Sequence, residues 1–403
     1  MRRWWNGWAK REMPICIRYW KETIKMKSDE NGKIRLYTGS YNAPVLTGDG
    51  TFYQGNGKGI CLWSFDEETG KLEKKRAYGQ ALNASWIAFS PDRRMLYAVN
   101  ELDDYKGTHG GALSAYQLGD EGEIVLKNIL PVMGAAPCHV SADCRGCFVY
   151  TANYNGGSMS RFRLAEDGSL SEMDWQLVHR FGEKENRDNR ERLRNPIRQE
   201  KPHVHSAAIE GDFLWIADLG TDEISCLEAD RSGDAMECAA SVFLPAGSGP
   251  RSIAFAPDKK KVYVTCELSN EIAVLEWEKE DRKITLQQMI SSLPERSGKI
   301  QRSTAGGVAL SPDNRFLYVG NRGDDSIGVY RVDNRGTLEG VQWISSEGKN
   351  PRGFQISPSG RWLLAANQDS DNLVVFERDD KSGKLEKRWI YEAGAVVCLQ
   401  FTT

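Results

Sequence analysis

Apolar and polar positions along this 403-residue chain follow the pattern of short strands broken by turns. One unit reads strand, Pro-Asp turn, strand: Ile87-Ala-Phe-Ser-Pro-Asp-Arg-Arg-Met-Leu-Tyr-Ala-Val-Asn100. It returns at Ile253–Cys266, Val308–Asn321 and Phe354–Asn367, and more loosely at Val140–Asn153 and Ser206–Asp218. Arg35–Ser40 carries the second strand alone. Aligning Leu36, Leu96, Val149, Leu214, Val262, Leu317 and Leu363 gives a mean period of about 54 residues. Such a period with strand-type patterning predicts four-stranded blades, and seven copies predict a seven-bladed β-propeller. Third and fourth strands flank Gly-containing turns, as in Gly59–Phe65 before Thr69-Gly70 and Ser326–Tyr330 before Arg335-Gly336.

The first blade has no inner strand of its own, whereas Ala395–Phe401 reads as an inner strand with nothing after it. Pairing of these two ends closes the ring and removes open sheet edges. The propeller domain is therefore expected over 33–403. Residues 1–32 are expected outside the fold, with eight Lys/Arg, four Asp/Glu and four of the 12 Trp. A membrane-surface helix or a docking segment is the functional reading of that piece; an appendage before a start at Met26 is the plainer one.

A net charge of −3 with dispersed acids argues against nucleic acid as a partner. Nine cysteines between Cys16 and Cys398 lack the spacing of a disulfide framework, which suggests a reducing, cytoplasmic setting. Cys144-Arg-Gly-Cys147 is a lone pair on an expected turn, and no metal or cofactor is called for. No apolar run approaches the ~18 residues of a membrane span.

Residues just before each first strand and just after each second strand meet at one mouth of the central channel. Pro137-Cys-His139, Pro202-His203-Val-His205, Gly249-Pro-Arg251 and Asn350-Pro-Arg352 enter it. Asn100-Glu101, Asn153-Tyr154, Asp218, Glu267, Asn321-Arg322 and Asn367-Gln368 leave it. Asn100, Asn153, Asp218 and Asn367 fit backbone-satisfying roles at strand ends. Arg251 and Arg352 do not fit the apolar strand pattern, each follows a proline, and a guanidinium grips phosphate or carboxylate. Simple alternation puts His203 and His205 on one side of a strand. Glu267 stands just beyond an apolar strand, where burial is expected to lift it into the range of a general base.

These residues carry a resemblance. Leu36-Tyr-Thr-Gly-Ser40, Pro137-Cys-His-Val140, Thr151-Ala-Asn-Tyr154, Arg198-Gln-Glu200, Pro202-His-Val-His-Ser206, Gly247-Ser-Gly-Pro-Arg251, Glu267-Leu-Ser-Asn270 and Asn321-Arg-Gly323 resemble the β-propeller lactonase family over 33–401. The resemblance implies hydrolysis of 6-phosphoglucono-1,5-lactone. It also extends to a propeller that handles a muconate lactone. Matching the motifs implies a catalytic set of His203 or His205, Arg251, Glu267 and Arg322; His139, Arg322 and Arg352, from their places at the mouth, and Arg198, beside the matched Gln-Glu, are expected to bind substrate. A cycloisomerase and a non-catalytic binding propeller are the alternatives. Two departures stand out: Thr304-Ala-Gly-Gly307 lacks an acid expected at that blade entrance, and Glu183–Lys201 is a long basic loop.

Overall fold

In every blade the second strand is flanked by neighbours on both edges and covered by adjacent blades on both faces, so its residues are apolar without alternation. Met95–Asn100, Phe148–Asn153, Phe213–Asp218 and Trp362–Asn367 are buried at every position. Outer strands face solvent and alternate poorly, as in Leu72–Tyr78, where only Leu72 is buried. The computed structural model describes residues 33–180, 195–229, 236–295 and 302–402. Residues 1–32 and the basic positions Arg187, Arg190, Arg192 and Arg194 lie outside the described residues.

Seven four-stranded antiparallel sheets form the ring, as the repeat predicts. Blade 1 borrows its inner strand from the end of the chain: Val396–Phe401 pairs antiparallel with Ile34–Ser40. The cores lie between blades rather than within them. Phe213 and Trp215 of blade 4 interlock with Val262, Val264 and Trp277 of blade 5, the two Trp rings meeting edge-on at 5.4 Å. Burial on this scale is the dominant stabilising term in such a ring.

Blade 1 also carries an inserted hairpin, Pro44–Leu46 with Phe52–Gln54, between its second and third strands. Asp49 ties the hairpin's tip by accepting from the Thr47 and Thr51 hydroxyls and the Thr51 amide. Cys144 and Cys147 occupy the turn between Pro137–Ala142 and Phe148–Asn153, and the eight described cysteines are all free thiols, five of them buried. No described helix is long and apolar enough to cross a membrane.

Candidate active site

The functional side chains arise from a repeated defect in the sheets. In six blades the inner strand slips register against the second strand near the mouth. The residues left without a cross-strand partner are Val397, Cys138, His205, Arg251 with Ser252, Gly306 with Gly307, and Arg352. A bulge bends its strand and re-aims the extra side chain. Three of these bulges deliver His205, Arg251 and Arg352 to the mouth. The bulge at blade 6 delivers nothing, because a Cβ on Gly307 would stand 2.9 Å from the Arg352 carbonyl. Close approach of backbone to backbone, rather than an acid, therefore occupies the Thr304–Gly307 entrance.

The other half of the site is a register position. Arg322, after Asn321, closes its own second strand, and at the same place, one residue beyond the closing Ser, Asn, Asp or Cys of the other second strands, stand Tyr41, Glu101, Tyr154, Leu219, Glu267 and Gln368. Glu267, 2% exposed, is the hub. Arg198 Nη2 donates to its Oε1 at 2.7 Å, and Arg322 Nη2 lies 2.7 Å from its Oε2. Arg251 Nε is 2.9 Å from the same Oε2 but off the line of a hydrogen bond, so that contact is Coulombic. Across the mouth, Arg352 lies over the Tyr41 ring at 5.1 Å, donates to Gln368 Oε1 at 3.3 Å, and stands 3.6 Å from Glu101 Oε2.

This cluster corrects the expectation for Glu267. Burial alone would raise its carboxyl, but Arg322, Arg198 and Arg251 together hold it well below the usual range. A carboxylate so held is a counter-ion for arginines and a poor base. Arg251 pays for the crowding: burial and the neighbouring Arg322 pull its guanidinium down to about 9. Four guanidinium groups face two carboxylates here, leaving an excess of two positive charges.

The histidines separate into different roles. The bulge at His205 interrupts simple alternation, and both rings meet Tyr154, His203 stacked on it and His205 edge-on. His203, 2% exposed, stacks on Tyr154 at 4.5 Å, with Nδ1 at 3.1 Å from the Tyr154 carbonyl and Nε2 at 3.1 Å from Glu200. Both ring nitrogens are thus engaged with protein groups. His205 instead lines a cavity of about 500 Å³ on the channel axis, together with Cys138, His139, Arg251, Arg352 and Gly307. Burial and Arg251 keep its imidazole well below the ordinary pKa, hence neutral. His139 lies against Trp86, accepts from the Ala207 amide at 3.4 Å, and is pushed by burial down to about 3.

All eight residues singled out by sequence thus gather around the mouth; His139, His205, Arg251 and Arg352 line the cavity, and Glu267, Arg198, Arg322 and His203 surround it without lining it. Tyr154 was named at a strand exit but given no role. Its hydroxyl receives Arg198 Nη2 at 2.8 Å while its ring touches both histidines. Tyr41 and Gly48 went unnoticed. Tyr41 shares the register of Glu101 and Glu267, which is the signal that could have found it. A Cβ on Gly48 would stand 2.7 Å from the Tyr154 hydroxyl and 2.8 Å from the Arg198 guanidinium, so the hairpin tip rests directly on that pair. The strand-end amides are structural as expected: Asn100 binds the Leu82 carbonyl, Asn153 the Ser158 and Ser160 hydroxyls, Asn367 the Ser346 carbonyl. Asp218 accepts the His203 and Gly220 amides.

A family profile described as "Lactonase, 7-bladed beta-propeller" matches residues 35–401. The chain belongs to the β-propeller lactonase family. A 6-phosphogluconolactonase of Bacillus subtilis is 34% identical over 310 residues, 76% of this chain and 83% of its own length. A 6-phosphogluconolactonase of Formosa agariphila is 29% identical, over 74% of this lactonase and 82% of its own length. Among solved structures, the periplasmic gluconolactonase of Pseudomonas aeruginosa superposes with a TM-score of 0.79 at 30% identity, covering 92% of this chain and 99% of that one.

Proposed function

We propose that this lactonase hydrolyses 6-phosphoglucono-1,5-lactone to 6-phosphogluconate, the second step of the oxidative pentose phosphate pathway. The observation that carries the reading is the excess of two positive charges around a neutral imidazole, which suits a small lactone bearing a phosphate dianion. His205 takes a proton from water as the oxygen bonds to the lactone carbonyl carbon. Arg251 and Arg322 stabilise the oxyanion. Collapse breaks the ring C–O bond, and the departing alkoxide recovers the proton from His205. Arg198, on the side of the mouth away from Glu101, is the group that holds the phosphate, while Arg352 stays paired with Glu101 and binds the lactone from the opposite side. Glu267 keeps three arginines together, and His203 fixes the Tyr154 ring.

A base with so depressed a pKa is weak in the empty site. The negative charge of the bound substrate offsets the arginines and raises the imidazole again, so basicity is supplied where the substrate is. The free thiols fit a cytoplasmic enzyme. A dicarboxylate-handling cycloisomerase is the second reading, because two carboxylates would match the same excess charge. The test measures hydrolysis of freshly generated 6-phosphogluconolactone above spontaneous opening, with and without EDTA, for wild type, His205→Gln and Glu267→Gln. Acceleration that survives EDTA and is lost in His205→Gln supports the assignment; full activity in His205→Gln removes that residue as base, and no acceleration by folded protein removes the substrate.

A further inference from the structure

Glu101 is the carboxylate at the mouth whose hydrogen bonding is incomplete. It is 7% exposed, and its Oε2 has no hydrogen-bond partner among the described residues. Arg352 Nη2, at 3.6 Å, neutralises it without satisfying it. A buried carboxylate oxygen left in this condition is costly unless something completes it. Its position is fixed with care. Asn83 Oδ1 accepts the Asn42 and Ala43 amides at the root of the inserted hairpin, while Asn83 Nδ2 donates to the Glu101 carbonyl at 3.1 Å and the Asn83 carbonyl accepts the Glu101 amide at 3.0 Å. One asparagine thus locks the hairpin and Glu101 together. The hairpin then extends from blade 1 past blade 2 to rest its tip on Tyr154 of blade 3 and Arg198. On the other side, Tyr53 of the hairpin donates to the Gln368 carbonyl of blade 7 at 3.3 Å. Glu101 therefore lies on the hairpin's side of the mouth, across from the Glu267 cluster.

We propose that Glu101 is a specificity-determining residue whose free oxygen accepts a hydroxyl of a polyhydroxylated lactone and whose charge repels dicarboxylate substrates. This rests on the sugar-lactone reading above and deepens it. The two sides of the mouth then divide the substrate: the arginine cluster takes the reacting carbonyl, and the hairpin side reads the hydroxylated face of the ring. A muconate-type lactone offers no hydroxyl to complete Oε2 and brings a second carboxylate toward it.

The experiment compares wild type with Glu101→Gln and Glu101→Asp in two ways. Rates are measured on 6-phosphogluconolactone and on unhydroxylated δ-valerolactone, and calorimetry measures binding of 6-phosphogluconate and of cis,cis-muconate. In Glu101→Gln the ratio of kcat/KM for the sugar lactone to that for δ-valerolactone is expected to fall about tenfold or more, the scale of one hydrogen bond to a charged group. Its muconate affinity is expected to rise. Glu101→Asp, which keeps the charge and withdraws the oxygen, is expected to lose the ratio without gaining muconate. Equal losses on both lactones, or an unchanged preference between the two acids, would overturn the proposal. If wild type hydrolyses neither lactone, the lactonase reading fails, and the binding comparison still decides the role of Glu101.

Discussion

The two ends of the channel are built from the same strands and obey different rules. At the end of the Pro-Asp turns, the turn hydroxyls and carboxylates cap amides within a few residues, even where they also reach other blades. Ser311 Oγ accepts the Phe316 amide at 3.0 Å and donates to Asp313, and Ser90 does the same for Met95 and Asp92. Asp143 accepts the Cys147 and Phe148 amides at 2.7 and 3.0 Å. At the mouth, partners are remote: Arg198 and Glu267 are 69 residues apart in sequence, and Arg352 meets a carboxylate from the opposite part of the chain. Local satisfaction stabilises the turns one at a time. Long-range pairing holds like charges together and leaves groups such as Glu101 incomplete, which is the condition expected of a site awaiting a ligand.

The contrast is sharpest if mouth substitutions cost activity and turn substitutions cost stability. The largest effect is expected from His205→Gln, which removes the proposed base: kcat on the sugar lactone should fall by about 10² or more. Urea unfolding should change little, since among the described residues the imidazole's polar contact is a long one to the Cys138 thiol, at 3.9 Å. A large stability loss with intact turnover would break the comparison. Next comes Gly48→Val. The side chain would meet Tyr154 and Arg198, and the tip must lift from them. A roughly tenfold fall in kcat/KM is expected, with faster hydrogen exchange confined to residues 44–54. Exchange that stays unchanged would show that the tip does not depend on this contact.

What sequence could and could not supply follows the same division. The ring was legible because every blade buries the same faces against its neighbours, so the apolar pattern must recur; even closure by Val396–Phe401 followed from a missing inner strand. The strand-end register was legible too, which is how Glu267, Arg322 and the structural asparagines were placed at the mouth. The bulges were not. Alternation assumes a continuous ladder, and it carries no sign of the register slip at His205. Nor can one glutamate announce its surroundings. The three arginines that hold Glu267 as an anion come from the inner strand of its own blade, the next blade and a connecting segment, and only the folded ring brings them together.

Titration offers a smaller and more general test. His139 and His205 are buried with depressed pKa values, so the unfolded chain binds protons near pH 6.5 that the folded chain refuses. Their contribution is complete above pH 6.5 and is lost as pH falls toward the folded values, for His139 about 3. Between pH 6.5 and 5 the loss for His139 is at most about 2 kcal/mol. Urea midpoints should therefore drop on acidification, and His139→Gln should flatten part of that slope. A slope unaltered by the substitution would mean that His139 titrates normally. Glu267 works at lower pH: its folded carboxyl is held below the unfolded one, so its contribution is complete above pH 4.5 and is lost progressively as pH falls from there through its depressed value.

The smallest effect lies at the turns, where blade 5 provides an internal control. Ser90, Ser311 and Ser357 occupy one position before the Pro-Asp or Pro-Ser turn, and each hydroxyl accepts the amide five residues on. Blade 5 has Ala256 there, and its backbone still closes the same turn, with the Ala256 amide on the Lys261 carbonyl at 2.9 Å. The hydroxyl is therefore a local addition to a turn that forms without it. Ala256→Ser should supply an acceptor for the Lys261 amide and a donor for Asp258, stabilising the protein by about 1 kcal/mol in urea unfolding. Ser311→Ala should cost about the same. Neither change should alter kcat or KM, because the turn lies at the far end of the strands from the arginines. A shift in KM from either would show that the two ends of the channel are coupled, and the separation drawn between them would not hold.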